Sequence, residues 1–291
     1  MQKFIGTGVA LVTPFKDDLT VDVDALIKLV NFNIENGTNY LVINGTTGES
    51  GTISEEEKLL IIEVIVKANN KRVPLVLGVG GNNTLSVVKE LQTRNLSEID
   101  GILSVAPYYS KPTQEGFYQH YKAISEATEL SIILYNVPGR TAKNMEPATT
   151  LRLAKDFSNI VAVKEAGNNQ QQYNTLLKDK PEDFLIISGD DDLALGVALA
   201  GGSGVISVIG QAFPKEFSTM INHGLQGNNK EGYDIHFKMM DVVDYIFEEN
   251  NPAGIKTVLQ ELGICSNNVR LPLVKASEEL EAKIANYVAN F

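Results

Sequence analysis

Short apolar runs rich in β-branched residues recur about every 20 to 35 residues over the first two thirds of the chain. None of them alternates cleanly between apolar and polar residues, so each is expected to be buried on both faces, as strands of a parallel sheet are. The eight runs lie at residues 8–13, 40–44, 74–78, 101–105, 131–135, 160–164, 184–188 and 204–208.

Helical patterns separate these runs. Residues 22–36 place apolar side chains on one stripe, and Ser54 with Glu57 matches a capping box that opens a helix through residue 67. Further helical patterns lie at 147–155, 168–177 and 191–200. This alternation predicts an α/β protein, a (β/α)8 TIM barrel, with an open doubly wound sheet as the alternative.

The pattern changes after the eighth run. Residues 226–291 contain no strand-like run and read as helical, with Asn251-Pro252 and Leu271-Pro272 as punctuation. No low-complexity linker precedes them. We therefore expect a (β/α)8 catalytic barrel over residues 1–225 and a C-terminal helical appendage over 226–291 that packs on it.

Composition and charge argue against several classes of function. The net charge of −11 argues against nucleic acid or an anionic membrane as partner. With one cysteine, Cys265, neither an intrachain disulfide nor a cysteine zinc site can form, and the three histidines lack the helical spacing of a metal clamp. We therefore expect no metal. No signal peptide or membrane-spanning stretch stands out, so a cytoplasmic location is expected.

One charged residue interrupts an apolar strand, Lys164 at the end of Ile160-Val161-Ala162-Val163. Burying an unpaired ammonium is costly, so such a lysine tends to become neutral, and a neutral lysine is a nucleophile for carbonyl carbons. The alternative is a strand-end lysine whose head reaches water.

The carboxyl ends of barrel strands form the active face, so candidate site residues are expected at and just after the end of each strand. The turn Gly45-Thr46-Thr47-Gly48 offers hydroxyls and backbone N–H groups to a small carboxylate, although such turns are common. Tyr135 ends the strand beside that of Lys164 and is either a proton shuttle or an aromatic plug. Arg140 follows on the same loop and binds either a second carboxylate or a surface acid. The three aspartates at 190–192 are expected to cap the next helix rather than bind metal.

These residues carry a family resemblance. Gly45-Thr46-Thr47-Gly48-Glu49, Tyr135-Asn136-Val137-Pro138 and the Lys164 strand resemble, in order, the motifs of the pyruvate-dependent class I aldolases, the family of dihydrodipicolinate synthase and N-acetylneuraminate lyase. Pro107-Tyr108-Tyr109 and Pro138-Gly139-Arg140-Thr141 favour the dihydrodipicolinate synthase branch. The likeness covers nearly the whole chain.

The resemblance implies a lyase reaction. Pyruvate would form a Schiff base on Lys164, and the derived enamine would condense with L-aspartate 4-semialdehyde. Cyclisation would give 4-hydroxy-tetrahydrodipicolinate, the first committed step of diaminopimelate and lysine biosynthesis. Tyr135 would be the general acid and base, with Thr47 and Tyr109 completing its proton relay. No cofactor is implied beyond the covalent Schiff base.

The resemblance also implies binding residues and partners. Thr46 and Thr47 would hold the pyruvate carboxylate, Arg140 the semialdehyde carboxylate, and the backbone of Gly189 and Ile206 would line the pocket. Tyr109 would reach a neighbouring subunit's site in a homotetramer, a dimer of dimers. Two alternatives stay open: an aldolase of the same family acting on a sugar-derived aldehyde, and a catalytically inactive ligand-binding barrel.

The chain departs from the family at the feedback site for L-lysine. Lysine-inhibited relatives use paired histidines and a glutamate there, whereas this chain has Glu55, Lys58 and Ser86 at the matching positions. Other positions of that site are compatible with it, namely Ser50, Gly51, Asn82 and Tyr108. A cationic Lys58 would repel the ligand's ammonium group, so weak or absent inhibition is expected.

Overall fold

Eight parallel strands close into a barrel in a computed structural model that describes residues 2–291. Each strand pairs with the next along the chain, and the last pairs with the first. The TIM-barrel prediction is confirmed, and the open doubly wound sheet is wrong. The strands are β1 (Gly6–Ala10), β2 (Tyr40–Ile43), β3 (Leu75–Gly78), β4 (Gly101–Val105), β5 (Ser131–Asn136), β6 (Ile160–Glu165), β7 (Leu185–Ser188) and β8 (Gly204–Ser207).

Helices follow the strands and cover the outside of the barrel. In the barrel region they are α1 (Val23–Glu35), α2 (Glu55–Asn69), α3 (Thr84–Thr93), α4 (Gln114–Glu126), α5 (Pro138–Thr141), α6 (Pro147–Asp156), α7 (Gln170–Asp179), α8 (Ala194–Leu199) and α9 (Pro214–Gln226). The predicted capping box opens α2: the Glu57 N–H donates to Ser54 Oγ, and the Ser54 N–H donates to the Glu57 carboxylate.

The first strand starts earlier than the apolar pattern predicts, at Gly6 rather than Gly8. Glycine stands at position 8 because a side chain there would overlap the Tyr40 ring. Phe4 packs edge-on against the same ring and fills the bottom of the barrel. Small residues therefore form part of β1, where hydrophobic patterning carries no signal.

The C-terminal region consists of α10 (Asn229–Glu248), α11 (Ala253–Glu261) and α12 (Glu278–Asn290). It contacts the barrel through a buried ion pair, in which Lys256 Nζ lies 2.5 Å from Glu49 Oε1. The Ser266 hydroxyl also donates to the carbonyl oxygen of Phe15. The boundary at residues 225 and 226 falls next to the end of α9, and the division into two domains stays a prediction.

No helix within residues 2–291 is both long and apolar enough to cross a membrane.

Candidate active site

A cavity of about 390 Å³ opens where the carboxyl ends of the strands meet. Six of the predicted site residues line it: Thr46, Thr47, Tyr135, Arg140, Lys164 and Gly189. Tyr135 and Lys164 lie on β5 and β6, and the others lie after β2, β5 and β7, so the barrel closure brings together residues far apart in sequence.

Lys164 lies on β6 at the centre of the cavity wall and is only 5% exposed. Its Nζ lies 4.5 Å from the centroid of the Tyr135 ring. The two residues are paired in register across β5 and β6, which explains why they face the same space. No carboxylate in residues 2–291 lies within salt-bridge distance of this ammonium. A lysine so deeply buried does not fit the alternative of a strand-end head group in bulk water.

Gly189 lets the end of β7 approach this lysine. A methyl group built on Gly189 would lie 2.6 Å from the Ala166 Cβ and 3.0 Å from the Lys164 Cε. The Gly189 N–H donates to the Glu165 carbonyl oxygen at 2.6 Å, which holds the two strand ends together. A larger residue here would displace the lysine stem.

The threonine turn is a short 3-10 turn, Thr46–Gly48, followed by Glu49 in the left-handed region at φ 58°. The Thr47 hydroxyl oxygen accepts a hydrogen bond from Asn251 Nδ2 at 3.0 Å. Asn251 lies between α10 and α11 and also lines the cavity. Sequence reasoning took Asn251 only as part of an Asn-Pro punctuation motif, so its side-chain role at the site was missed.

Arg140 lies on α5, four residues after the last residue of β5, and its side chain is exposed at the cavity mouth. No acidic side chain in residues 2–291 forms a salt bridge with it. The alternative of a surface ion pair therefore has no support, and the guanidinium is available to an anionic ligand.

The aspartates at 190–192 do not cap α8, so that prediction is wrong. Asp191 instead accepts from the backbone N–H groups of Val208 and Ile209 after β8, at 3.0 Å and 2.8 Å. Asp190 accepts from the Asn168 N–H and the Tyr173 hydroxyl. Burial raises the pKa of Asp190 to about 6, an effect that the hydrogen bond from the Asn168 N–H and, less strongly, the Lys164 charge partly offset. With Asp244 and Glu248 from α10, these carboxylates form an acidic wall of the cavity.

Two predicted residues lie outside the cavity. Ile206 is fully buried within the barrel, and no residue of β8 lines the cavity, which is reached only by Val208 just after that strand. Tyr109 is 90% exposed on the loop after β4, at φ 69°. The isolated chain therefore does not bring Tyr109 to Tyr135.

Four positions of the feedback site line a second cavity of about 500 Å³, which shares Thr46, Tyr135 and Arg140 with the first. Ser50, Gly51, Lys58 and Tyr108 line it, and Asn82 Nδ2 donates to the Tyr108 carbonyl oxygen at 3.2 Å. Lys58 Nζ lies 2.6 Å from the Glu55 carboxylate.

Arg94 lies 2.9 Å from the other Glu55 oxygen. The Glu55 carboxylate is thus already engaged by two cations, and hydrogen bonds from Lys58 and Arg94 lower its pKa.

Known proteins resemble the chain over its full length. The family model described as "Dihydrodipicolinate synthetase family" matches residues 3–290. The 4-hydroxy-tetrahydrodipicolinate synthase of Flavobacterium psychrophilum is 57% identical, over 98% of this chain and 97% of its own.

Solved structures of dihydrodipicolinate synthases superpose closely on this chain. Dihydrodipicolinate synthase from Thermotoga maritima superposes with a TM-score of 0.96 at 38% identity, over 99% of this chain and 98% of its own. The chloride-inhibited enzyme from Acinetobacter baumannii, complexed with pyruvate, gives 0.95 at 38% identity, over 98% of both chains. The chain therefore belongs to the dihydrodipicolinate synthetase family.

Proposed function

We propose that the protein is a 4-hydroxy-tetrahydrodipicolinate synthase, a class I aldolase that joins pyruvate to L-aspartate 4-semialdehyde. The observation that carries this proposal is the position of Lys164, buried without a carboxylate partner and facing Tyr135 at the mouth of the barrel. The names of the relatives support the same activity, and one solved relative holds pyruvate.

The chemistry begins with the neutral amine of Lys164 attacking the keto carbon of pyruvate. The carbinolamine loses water to form an imine, and loss of a methyl proton gives an enamine. The enamine carbon adds to the aldehyde carbon of the second substrate, whose oxygen takes up a proton. The substrate's own amine then attacks the imine carbon, closes the ring and releases Lys164.

The other residues supply binding and proton transfer. Tyr135 is placed to give and take protons next to the lysine. The Thr46-Thr47 turn presents hydroxyl and N–H groups for the pyruvate carboxylate, and Arg140 at the cavity mouth takes the semialdehyde carboxylate. No organic cofactor or metal ion is required, since the protonated imine is itself the electron sink.

Exposed Tyr109 supports assembly of more than one subunit. A large aromatic side chain that is 90% exposed and held at positive φ is unusual for an isolated surface. We propose that it completes the proton relay of Thr47 and Tyr135 in a neighbouring subunit of a homotetramer. Gel filtration of the wild type and of Tyr109→Ala tests this, because a monomer with full activity would contradict it.

The decisive experiment is reduction with borohydride in the presence of pyruvate, followed by peptide mapping. We expect one modified residue, Lys164, and none after Lys164→Arg. Lys256 is a matched internal control: it is also buried, but it is ion-paired with Glu49. Modification of Lys256 alone would overturn the mechanism, and no modification at all would favour the catalytically inactive ligand-binding barrel. Turnover of N-acetylmannosamine but not of aspartate semialdehyde would favour the sugar aldolase instead.

A further inference from the structure

A buried polar cluster lies directly behind the Tyr135 and Lys164 pair. It consists of the side chains that follow those two residues in sequence, Asn136 and Glu165, together with Asn144 and Gln172. Glu165 is fully buried, and in residues 2–291 no lysine or arginine forms a salt bridge with it. Such a carboxylate is costly, so its retention next to the candidate nucleophile calls for an explanation.

The cluster is closed by hydrogen bonds. Asn136 Nδ2 donates to both Glu165 oxygens, at 3.1 Å and 2.9 Å, and to Asn144 Oδ1 at 2.8 Å. Gln172 Nε2 donates to Glu165 Oε2 at 2.8 Å, and Asn144 Nδ2 donates to Gln172 Oε1 at 2.8 Å. Hydrogen bonds therefore connect all four side chains, and we call this set of residues the brace.

The brace also closes the loop that carries Arg140. That loop leaves β5 at Asn136 and returns at Met145, whose N–H donates to Asn136 Oδ1 at 3.0 Å. Asn144, one residue earlier, is part of the brace itself. The two ends of the loop are thus joined by Asn136, and Arg140 lies between them.

A glycine brings Glu165 against the same loop. A Cβ atom built on Gly167 would lie 2.6 Å from Glu165 Oε1 and 3.7 Å from the Pro138 ring, and Pro138 is the first residue of the helix that holds Arg140. The backbone of Gly167 has no positive φ that would itself demand glycine. Space for the carboxylate beside the loop is therefore what glycine provides at this position.

We infer that the brace positions Arg140 relative to Lys164 and so sets the affinity for the second, carboxylate-bearing substrate. The inference rests on the proposed function, in which Arg140 binds that carboxylate. The four members are positioning residues, since none of them lines the cavity. Attack of Lys164 on pyruvate needs no contribution from Arg140 and is expected to be independent of the brace.

The primary test is Asn144→Ala. We expect the KM for aspartate semialdehyde to rise about tenfold, because a misplaced guanidinium loses its two-pronged contact. The kcat, the KM for pyruvate and the rate of borohydride trapping with pyruvate should stay within about twofold to threefold of wild type. Gly167→Ala, which displaces Glu165 from the loop, should also raise the KM for aspartate semialdehyde.

Asn159→Ala is the matched control. Asn159 is also a half-buried asparagine with three side-chain hydrogen bonds, to Ser125 and Thr128, but it precedes β6 at the opposite end of the barrel. Asn159→Ala should lower the midpoint of thermal unfolding about as much as Asn144→Ala does, and it should leave the KM for the aldehyde unchanged. Should Asn144→Ala fail to fold, Gln172→Met is measured by the same criteria.

A double-mutant cycle with Arg140→Ala completes the test. If the brace acts through Arg140, adding Asn144→Ala to Arg140→Ala should not raise the aldehyde KM further. Additive effects, an unchanged KM in Asn144→Ala, or an equal rise in the Asn159 control would each overturn the inference. Failure of wild-type trapping with pyruvate would instead overturn the proposed function, so the two failures are distinguishable.

Discussion

Two fully buried glutamates stabilise the two halves of the candidate site, and they do so by different means. Glu49 follows the threonine turn and is paired with a cation, Lys256 Nζ at 2.5 Å. Glu165 follows the lysine and is held by the amides of Asn136 and Gln172 alone. The threonine half is thus fixed by a charge pair and the lysine half by neutral amide donors. Loss of one partner should therefore have different consequences in each half.

The largest effect should come from Lys256→Met, which leaves the Glu49 carboxylate buried without its cation. We expect a loss of about 3–5 kcal/mol in the free energy of unfolding, measured by urea denaturation. Lys283→Met is the control, since Lys283 pairs with Glu248 and Glu279 on the surface and its loss should lower the free energy of unfolding far less.

The double variant Glu49→Gln/Lys256→Met sharpens this result. Removing both charges should recover part of the stability, because no uncompensated charge remains. If Lys256→Met lowers the free energy of unfolding no more than the surface control does, the charge pair does not stabilise the threonine half in the way described.

The next effect is a pH dependence in the lysine half. Desolvation raises the pKa of Glu165 from 4.5 to about 7. The folded state therefore binds more protons than the unfolded state over this window, so stability falls as the pH rises from about 4.5 to about 7, by up to roughly 3 kcal/mol.

Glu165→Gln isolates this contribution. Asp190, whose pKa is raised to about 6, also makes the protein less stable as the pH rises. The quantity to measure is therefore the difference in free energy of unfolding between the variant and the wild type at each pH. We expect the variant to gain relative stability as the pH rises. A difference that is flat between pH 4.5 and 7 would show that the amide donors cancel the desolvation.

A smaller effect on stability is expected in the threonine half, from Asn251→Ala. Removing the amide that donates to Thr47 should cost about 1 kcal/mol of stability. The kcat should fall about tenfold to a hundredfold, because the Thr47 hydroxyl would lose its fixed orientation. Asn267→Ala, a buried asparagine bound to Glu281 in the same C-terminal region, should lower stability without lowering kcat. Equal kcat values in the two variants would remove Asn251 from the site.

The sequence predicted the lysine half better than the threonine half, for a physical reason. Eight uninterrupted apolar runs indicate strands buried on both faces, and neighbouring strands of a barrel place Tyr135 beside Lys164 in register. Asn251 and Lys256 meet their partners across 204 and 207 residues, and no local pattern encodes such contacts. The role of the Ile206 backbone stays a prediction from the resemblance, since the residue packs in the barrel core and does not line the cavity.

The smallest effect should be that of L-lysine at the second cavity, which borders the threonine half through Thr46, Glu49 and Ser50. The ligand's ammonium group would meet Lys58, and the Glu55 carboxylate is already bound by Lys58 and Arg94. We expect millimolar L-lysine to leave the initial rate nearly unchanged in a steady-state assay.

The variant Lys58→Gln/Ser86→Glu tests the electrostatic reason, because it removes the positive charge and adds a carboxylate on α3, at a position that matches the feedback site of the family. It should bind L-lysine measurably in calorimetry while the wild type does not. Because Thr46, Tyr135 and Arg140 all line the second cavity, any inhibition gained should change the KM for both pyruvate and the aldehyde. Inhibition of the wild type at micromolar L-lysine would show instead that Lys58 moves away from the ligand, and the repulsion argument would fail.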